Sequence, residues 1–270
     1  MSAELLRALA LGALQGATEF LPVSSSGHLV VVPALLGWPD QDLTFDVVVH
    51  LATALAVLIY FRADWLRLLR GGWRGLQAGA PWRDPDGRLL SWILLASVPA
   101  VVVGLSFKDF FEGLFAAPRA AAAMLFVTGA LILVAEAMAR QARDTQSLGG
   151  GRALIVGGAQ ALAIMPGISR SGATIAAGMF VGLDRAEAAR FSFLLAAPII
   201  VGAAGVQLLD FFGGDPSPGD LRPLAVGFLS AFGVGYLAIG GLLAWVRRAP
   251  LYVFVAWTWL LGAYALWQLP

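Results

Sequence analysis

Along the chain, apolar positions gather into long runs separated by short polar stretches. Six runs, roughly 44–62, 89–106, 119–139, 186–212, 222–246 and 250–268, reach the length of about 20 residues that a helix needs to cross a bilayer. Two further regions, 3–37 and 153–183, are equally apolar, but clusters of Gly, Pro and Ser cut each in half. The halves are too short for an ordinary span. Such broken segments are tolerated at membrane depth only when buried in protein or facing water, which predicts a re-entrant hairpin in each region.

Composition strengthens this picture. Of the 270 residues, 59% are hydrophobic and 13% charged, about half the charge of an average soluble domain. Mean hydropathy is +0.79. A soluble fold has no way to hide so much apolar surface, so the reading is an integral membrane protein. A net charge of +1 gives no footprint for nucleic acid. The absence of cysteine removes disulfides and thiolate metal sites. The first apolar run lacks a small-residue cleavage site, so no cleaved leader is expected. No linker divides the sequence, and residues 1–270 read as a single membrane domain.

Charge then assigns sides. Arg67, Arg70, Arg74, Arg83 and Arg88 follow the first run, Arg140, Arg143 and Arg152 follow the third, and Arg247 and Arg248 precede the last. The loops at 107–118 and 213–221 carry Asp109, Glu112, Asp215 and Asp220 against Lys108 alone. The positive-inside rule makes the arginine loops cytoplasmic. Counting crossings, the first hairpin opens outward and the second inward.

The two broken regions also resemble each other. Gly12, Gln15, Ser24, Ser26 and Gly27 correspond to Gly157, Gln160, Ser169, Ser171 and Gly172 at a constant spacing of 145 residues, and Phe45 and Phe191 follow at nearly the same spacing. Each half is then one hairpin and three spans. An odd number of crossings inverts one half relative to the other. The expected fold is therefore all-α: six transmembrane helices plus two broken re-entrant helical hairpins, in inverted-topology repeats covering approximately 3–139 and 153–268. Such repeats place a site near the midplane, at their interface.

The polar residues lie in the breaks. In "QGATEFLPVSSSGH", residues 15–28, Gln15 and Glu19 share a helix face, Pro22 ends that helix, and Ser24, Ser25 and Ser26 are good caps for the next. His28 falls in the following first turn. In "PGISRSGAT", Pro166 and Gly167 break the incoming helix, Ser169 or Ser171 caps the outgoing one, and Thr174 lies one turn in. Two helix N-termini brought together favour an anion. Arg170 adds a planar guanidinium suited to phosphate oxygens, and the serines add hydroxyl donors. Glu19 and His28 are groups that exchange protons. The combination suits binding and cleavage of a phosphate or diphosphate. The plainer alternatives are serines that only cap and a Glu19–Arg170 ion pair that only holds the hairpins together. Intramembrane ionisable residues nevertheless point to function by default. His50 stands without a nearby polar motif and reads as structural, while Asp46 is a candidate to face the site. Glu136 and Arg140 read as an interfacial pair. Trp257, Trp259, Trp267, Tyr252 and Tyr264 read as interface aromatics.

At these two motifs the chain closely resembles the bacterial undecaprenyl-diphosphate phosphatases, the bacitracin-resistance family. Gln15 to Glu19, the serine-rich turn and His28 match that family's first motif. Pro166, Gly167, Ser169, Arg170, Ser171 and Thr174 match its PGxSRSxxT motif in full. "FDVVVHLAT" at 45–53 and "FSFLLAAP" at 191–198 extend the likeness. Gln15 is within the family's pattern but removes one carboxylate. The resemblance implies hydrolysis of a C55 polyprenyl diphosphate, in the bacterial plasma membrane, at a site open to the periplasmic face. The resemblance also implies a divalent cation, Mg²⁺ or Ca²⁺. On the chemistry of the residues, Arg170 and Ser169 neutralise charge on the phosphate, Glu19 is a general base or the cation's ligand, and His28 is an acid–base group or the nucleophile. Ser25, and after it Ser24, is the alternative nucleophile, and direct attack by water stays open, with Gln15, Ser26, Ser171 and Thr174 also around the substrate. The expected partners are the polyprenyl diphosphate and membrane lipids, with no nucleic acid, and a homodimer is left open. The rival readings are a transporter or flippase that binds the head group without cutting it, and a dual protein that couples hydrolysis to flipping of the carrier. A lipid phosphatase of the acid-phosphatase type needs a second histidine downstream of the arginine motif, and none follows residue 50.

Overall fold

The computed structural model describes residues 2–39, 43–80, 82–115, 117–138, 144–213 and 221–269. Among them the chain forms twelve α-helices: α1 Ala3–Phe20, α2 Ser25–Leu36, α3 Leu43–Tyr60, α4 Arg62–Gln77, α5 Pro85–Ser106, α6 Lys108–Phe115, α7 Pro118–Met138, α8 Gly150–Leu162, α9 Arg170–Phe180, α10 Arg185–Gly213, α11 Leu221–Val246 and α12 Tyr252–Gln268. Both regions expected to break do so, at residues 21–24 and 163–169.

Among the described residues four helices are long and apolar enough to cross a membrane: Pro85–Ser106, Pro118–Met138, Arg185–Gly205 and Leu221–Val246. The run expected at 44–62 instead forms one arm of a bent pair. The axes of Thr44–Tyr60 and Arg62–Gln77 turn by 72°. The sequence explains the turn. After Phe61 the apolar run gives way to an amphipathic pattern, with exposed Leu66, Leu69, Trp73 and Leu76 at helical spacing and arginines between them. The expected arginine loop is thus largely a helix. The last run forms α12, a helix of 17 residues.

Small residues let the helices approach closely. Gly12 and Gly16 of α1 lie against the backbone of Gly227 and Ala231 of α11, where an added Cβ would come within 2.4 and 2.5 Å of the carbonyl oxygens. Gly157 of α8 meets the Ala96 carbonyl of α5 in the same way, at 2.3 Å. Without water between helices, association rests on such close packing rather than on a hydrophobic drive. A buried aromatic cluster joins α1 to α10 and to the α3–α4 corner: Phe20 meets Phe193 edge-on at 5.7 Å, and Phe61 meets it at 6.0 Å.

Ion pairs fasten the arginine-bearing end. Arg185 holds Glu136 with two hydrogen bonds of 2.8 and 2.6 Å, and Glu136 also accepts the Leu251 N–H at 2.8 Å. Glu136 was expected to pair with Arg140, which lies outside the described residues, as do Arg143, Asp215 and Asp220. The side chains of Asp109 and Glu112 also lie outside them. Asp64 takes both Arg190 and Arg67, tying α4 to α10.

Candidate active site

The two breaks meet in the interior. Gly27, just inside α2, lies so close to Gly167 that an added Cβ would stand 3.0 Å from the Gly167 Cα. Gly167 adopts φ 92°, and a Cβ there would lie 2.1 Å from the Ala121 carbonyl oxygen. Only glycine satisfies both demands at once. Thr128 of α7 braces this turn: its hydroxyl donates to the Gly167 carbonyl and accepts the Ser169 N–H, both at 2.8 Å.

Each break ends in a serine cap. Ser24 accepts the Gly27 N–H at 3.2 Å, and Ser169 accepts the Gly172 N–H at 3.0 Å. In each, the capping hydroxyl also contacts the serine two residues on, Ser24 with Ser26 at 3.3 Å and Ser169 with Ser171 at 3.1 Å. Ser24 holds φ 76°, a left-handed conformation that a non-glycine residue adopts at a cost, and one found disproportionately at functional turns. The other N–H groups in the first turns of α2 and α9 have no partner within their own helices.

Glu19 is the hub. Its Oε1 accepts from Arg170 Nη2 at 2.7 Å; its Oε2 accepts from the Ser25 hydroxyl at 2.6 Å and from Gln15 Nε2 at 3.2 Å. Ser171 adds a second link between the breaks by donating to the Leu21 carbonyl at 3.0 Å. Glu19 and Arg170 are both largely buried, at 8% and 14% side-chain exposure. Yet Arg170 Nη1 and Gln15 Oε1 are buried without a hydrogen-bond partner among the described residues. A buried guanidinium nitrogen left unsatisfied is costly unless an anion comes to it.

The remaining candidates sit elsewhere. Thr174 turns back into its own helix, donating to the Arg170 carbonyl at 2.8 Å and meeting the Ser192 hydroxyl of α10 at 2.7 Å. It supports α9 and makes no bond to Glu19, Ser25 or the guanidinium. His28 is fully buried, with both ring nitrogens engaged: Nδ1 donates to the Ser24 carbonyl at 2.7 Å, and Nε2 accepts the Trp257 indole N–H at 2.8 Å. His50, which the sequence left as structural, is brought by α3 within electrostatic range of Glu19, its Nδ1 donating to the Asp46 carbonyl at 2.7 Å. Sequence reasoning missed Thr128 and Ser192, and placed Trp257 at the membrane interface only.

Beside His28 an apolar cleft of about 340 Å³ runs between α1 and α12. Leu14, Ala17, Thr18 and Leu21 form one wall, Val253, Phe254 and Trp257 the other. Among the described residues no group of three or more His, Cys, Asp or Glu side chains assembles to hold a metal ion.

Residues 8–264 match the family model of bacitracin resistance protein BacA. The chain belongs to this family. Its relatives include the undecaprenyl-diphosphatase of Rubrobacter xylanophilus, 46% identical over 263 residues that cover 96% of each chain. That of Trichlorobacter lovleyi is 44% identical over 93% of this chain and 92% of its own. That of Desulfosudis oleivorans is 45% identical over 98% of each. In this BacA-family chain the Glu19, Ser25 and Arg170 cluster lies within the matched span, as do both serine caps.

Proposed function

We propose that this membrane protein hydrolyses undecaprenyl diphosphate to undecaprenyl phosphate and inorganic phosphate. One observation carries the mechanism: Glu19 holds the Ser25 hydroxyl on one oxygen and Arg170 on the other, while the second guanidinium nitrogen has no partner among the described residues. The terminal phosphate of the substrate binds Arg170 and the N–H groups at the starts of α2 and α9. As Arg170 turns to the phosphate, Glu19 loses its cation and becomes the better base. Glu19 takes the Ser25 proton while Oγ attacks the terminal phosphorus, and the bridging oxygen leaves with the lipid monophosphate. The leaving monophosphate takes that proton from Glu19, whose regained carboxylate then deprotonates the water that cleaves the phosphoserine and returns the proton to Ser25 Oγ as phosphate is released. Arg170 and the helix N-termini neutralise charge developing on the phosphoryl oxygens. Ser24, Ser26, Ser169 and Ser171 fix these N-termini, and Thr174 fixes α9. The first isoprene units lie in the cleft between α1 and α12.

A divalent cation, Mg²⁺ or Ca²⁺, belongs to the same proposal. Hard cations take oxygen ligands and often bind through one carboxylate plus substrate phosphates. Glu19 and the unpartnered Oε1 of Gln15 fit that donor set and would hold it; when bound it supplies charge neutralisation.

The reading includes an inverted repeat of six spans, with the site open to the outer face. The matching caps, the matching Gly12 and Gly157 contacts and the crosswise packing of α1 on α11 and α8 on α5 support it. That same architecture favours the rival, a carrier that binds the head group and moves it. Phosphate release from the prenyl diphosphate in detergent, with no gradient, separates the two: release supports the phosphatase, and binding without release supports the carrier.

A further inference from the structure

We propose that Trp257 is a specificity-determining residue that reports the prenyl tail to His28. The inference rests on the phosphatase reading and adds a reason for the enzyme to act on lipid rather than soluble diphosphates. A carbonyl oxygen only accepts, so the Nδ1 bond to Ser24 fixes His28 as the Nδ1–H tautomer and leaves a lone pair on Nε2. Trp257 caps that lone pair. The two rings lie 10° from parallel with centroids 6.1 Å apart, which with the 2.8 Å N–N distance describes an in-plane bond between ring edges. In this state His28 has no nitrogen to offer, although it stands one helical turn from Ser25.

The latch is placed to be opened. Trp257 is 53% exposed, so its indole is not wedged in a core. Its helix packs chiefly on α7, and α2 is a minor neighbour. Both latch residues line the apolar cleft, together with Leu14, Ala17, Leu21 and Phe254. The cleft volume of about 340 Å³ is in the range of small-ligand pockets. An isoprenoid entering it competes with the indole for the same walls. Displacing the indole frees Nε2 on a ring one helical turn from Ser25. A diphosphate without a tail leaves the latch shut.

Two arms test this on the full-length protein. The chain has only two histidines, so ring-labelled histidine gives two resolvable NMR signals. Adding farnesol, a tail without phosphate, should move one signal toward its position in Trp257→Phe, which keeps a ring but lacks the N–H. A His28 signal that stays put at saturating farnesol overturns the proposal, whatever the activity. The second arm compares hydrolysis of a prenyl diphosphate with that of inorganic pyrophosphate. Trp257→Phe should reduce the preference for the tail by about fivefold, the worth of one hydrogen bond. An unchanged preference overturns the latch while leaving the phosphatase reading intact. A wild-type protein inactive on prenyl diphosphate sinks the phosphatase reading and leaves the farnesol arm to decide whether the latch responds to a tail.

Discussion

Arg170 Nη2 lies 2.7 Å from Glu19 Oε1, across 151 residues of sequence, while Nη1 of the same guanidinium is buried and has no hydrogen-bond partner among the described residues. A pair that served only to join the hairpins would satisfy both nitrogens. This one is half-used, and the other half points to an anion.

The distinction is measurable. Arg170→Ala strands a buried carboxylate and should cost about 3–5 kcal/mol in thermal or denaturant unfolding in detergent. Pairing it with Glu19→Gln should recover much of that stability without restoring activity. Arg170→Lys keeps the charge but not the planar fork, and its rate should still fall by about 10²-fold or more. Full activity in Arg170→Lys would reduce the guanidinium to a point charge.

The serines should separate by role. Ser25→Ala removes the hydroxyl bonded to Glu19 and should abolish phosphoenzyme formation under fast quench. Ser24→Ala loses a cap, at about 1 kcal/mol, and keeps the φ 76° strain; Ser24→Gly should be milder, because glycine accepts that backbone. A phosphoenzyme that persists in Ser25→Ala moves the nucleophile elsewhere.

Gly12→Ala and Gly157→Ala should destabilise alike, by about 1–3 kcal/mol each, since a methyl at either meets a backbone carbonyl of the helix beside it. Gly158→Ala has open space and serves as the control. Melting temperatures of the three variants check this. A neutral Gly157→Ala beside a damaging Gly12→Ala would count against equivalent halves.

Topology is open to labelling because the chain has no cysteine. A membrane-impermeant thiol reagent should reach Gly113→Cys on α6 in intact cells, and Gln77→Cys on α4 only after permeabilisation. The reverse pattern would invert the assignment of sides.

Much of this was legible in sequence because polar residues inside apolar runs are conspicuous. "VSSSGH" and "ISRSGAT" marked both breaks, and the 145-residue spacing linked them. What stayed hidden depends on partners distant in sequence. Thr128 reads as one threonine in an apolar helix until the fold sets it under Gly167 and Ser169. Trp257 has the composition signature of a membrane-interface aromatic, and only packing shows its N–H on His28. His50 is a lone histidine on a span until α3 carries it near Glu19. Glu136 has a partner distant in sequence as well, Arg185, which only the fold brings to it, with two-pronged geometry. Helix α4 was obscured by its arginines, which marked a loop by charge while its leucines kept helical spacing.

The central claim is that the Glu19–Ser25–Arg170 cluster cleaves a prenyl diphosphate. The most direct measurement is phosphate release from undecaprenyl diphosphate by purified wild type, Glu19→Gln and Arg170→Ala, each verified as folded. The account predicts release by wild type and a loss of about 10²–10³-fold in either variant. Near wild-type release by either variant would contradict it.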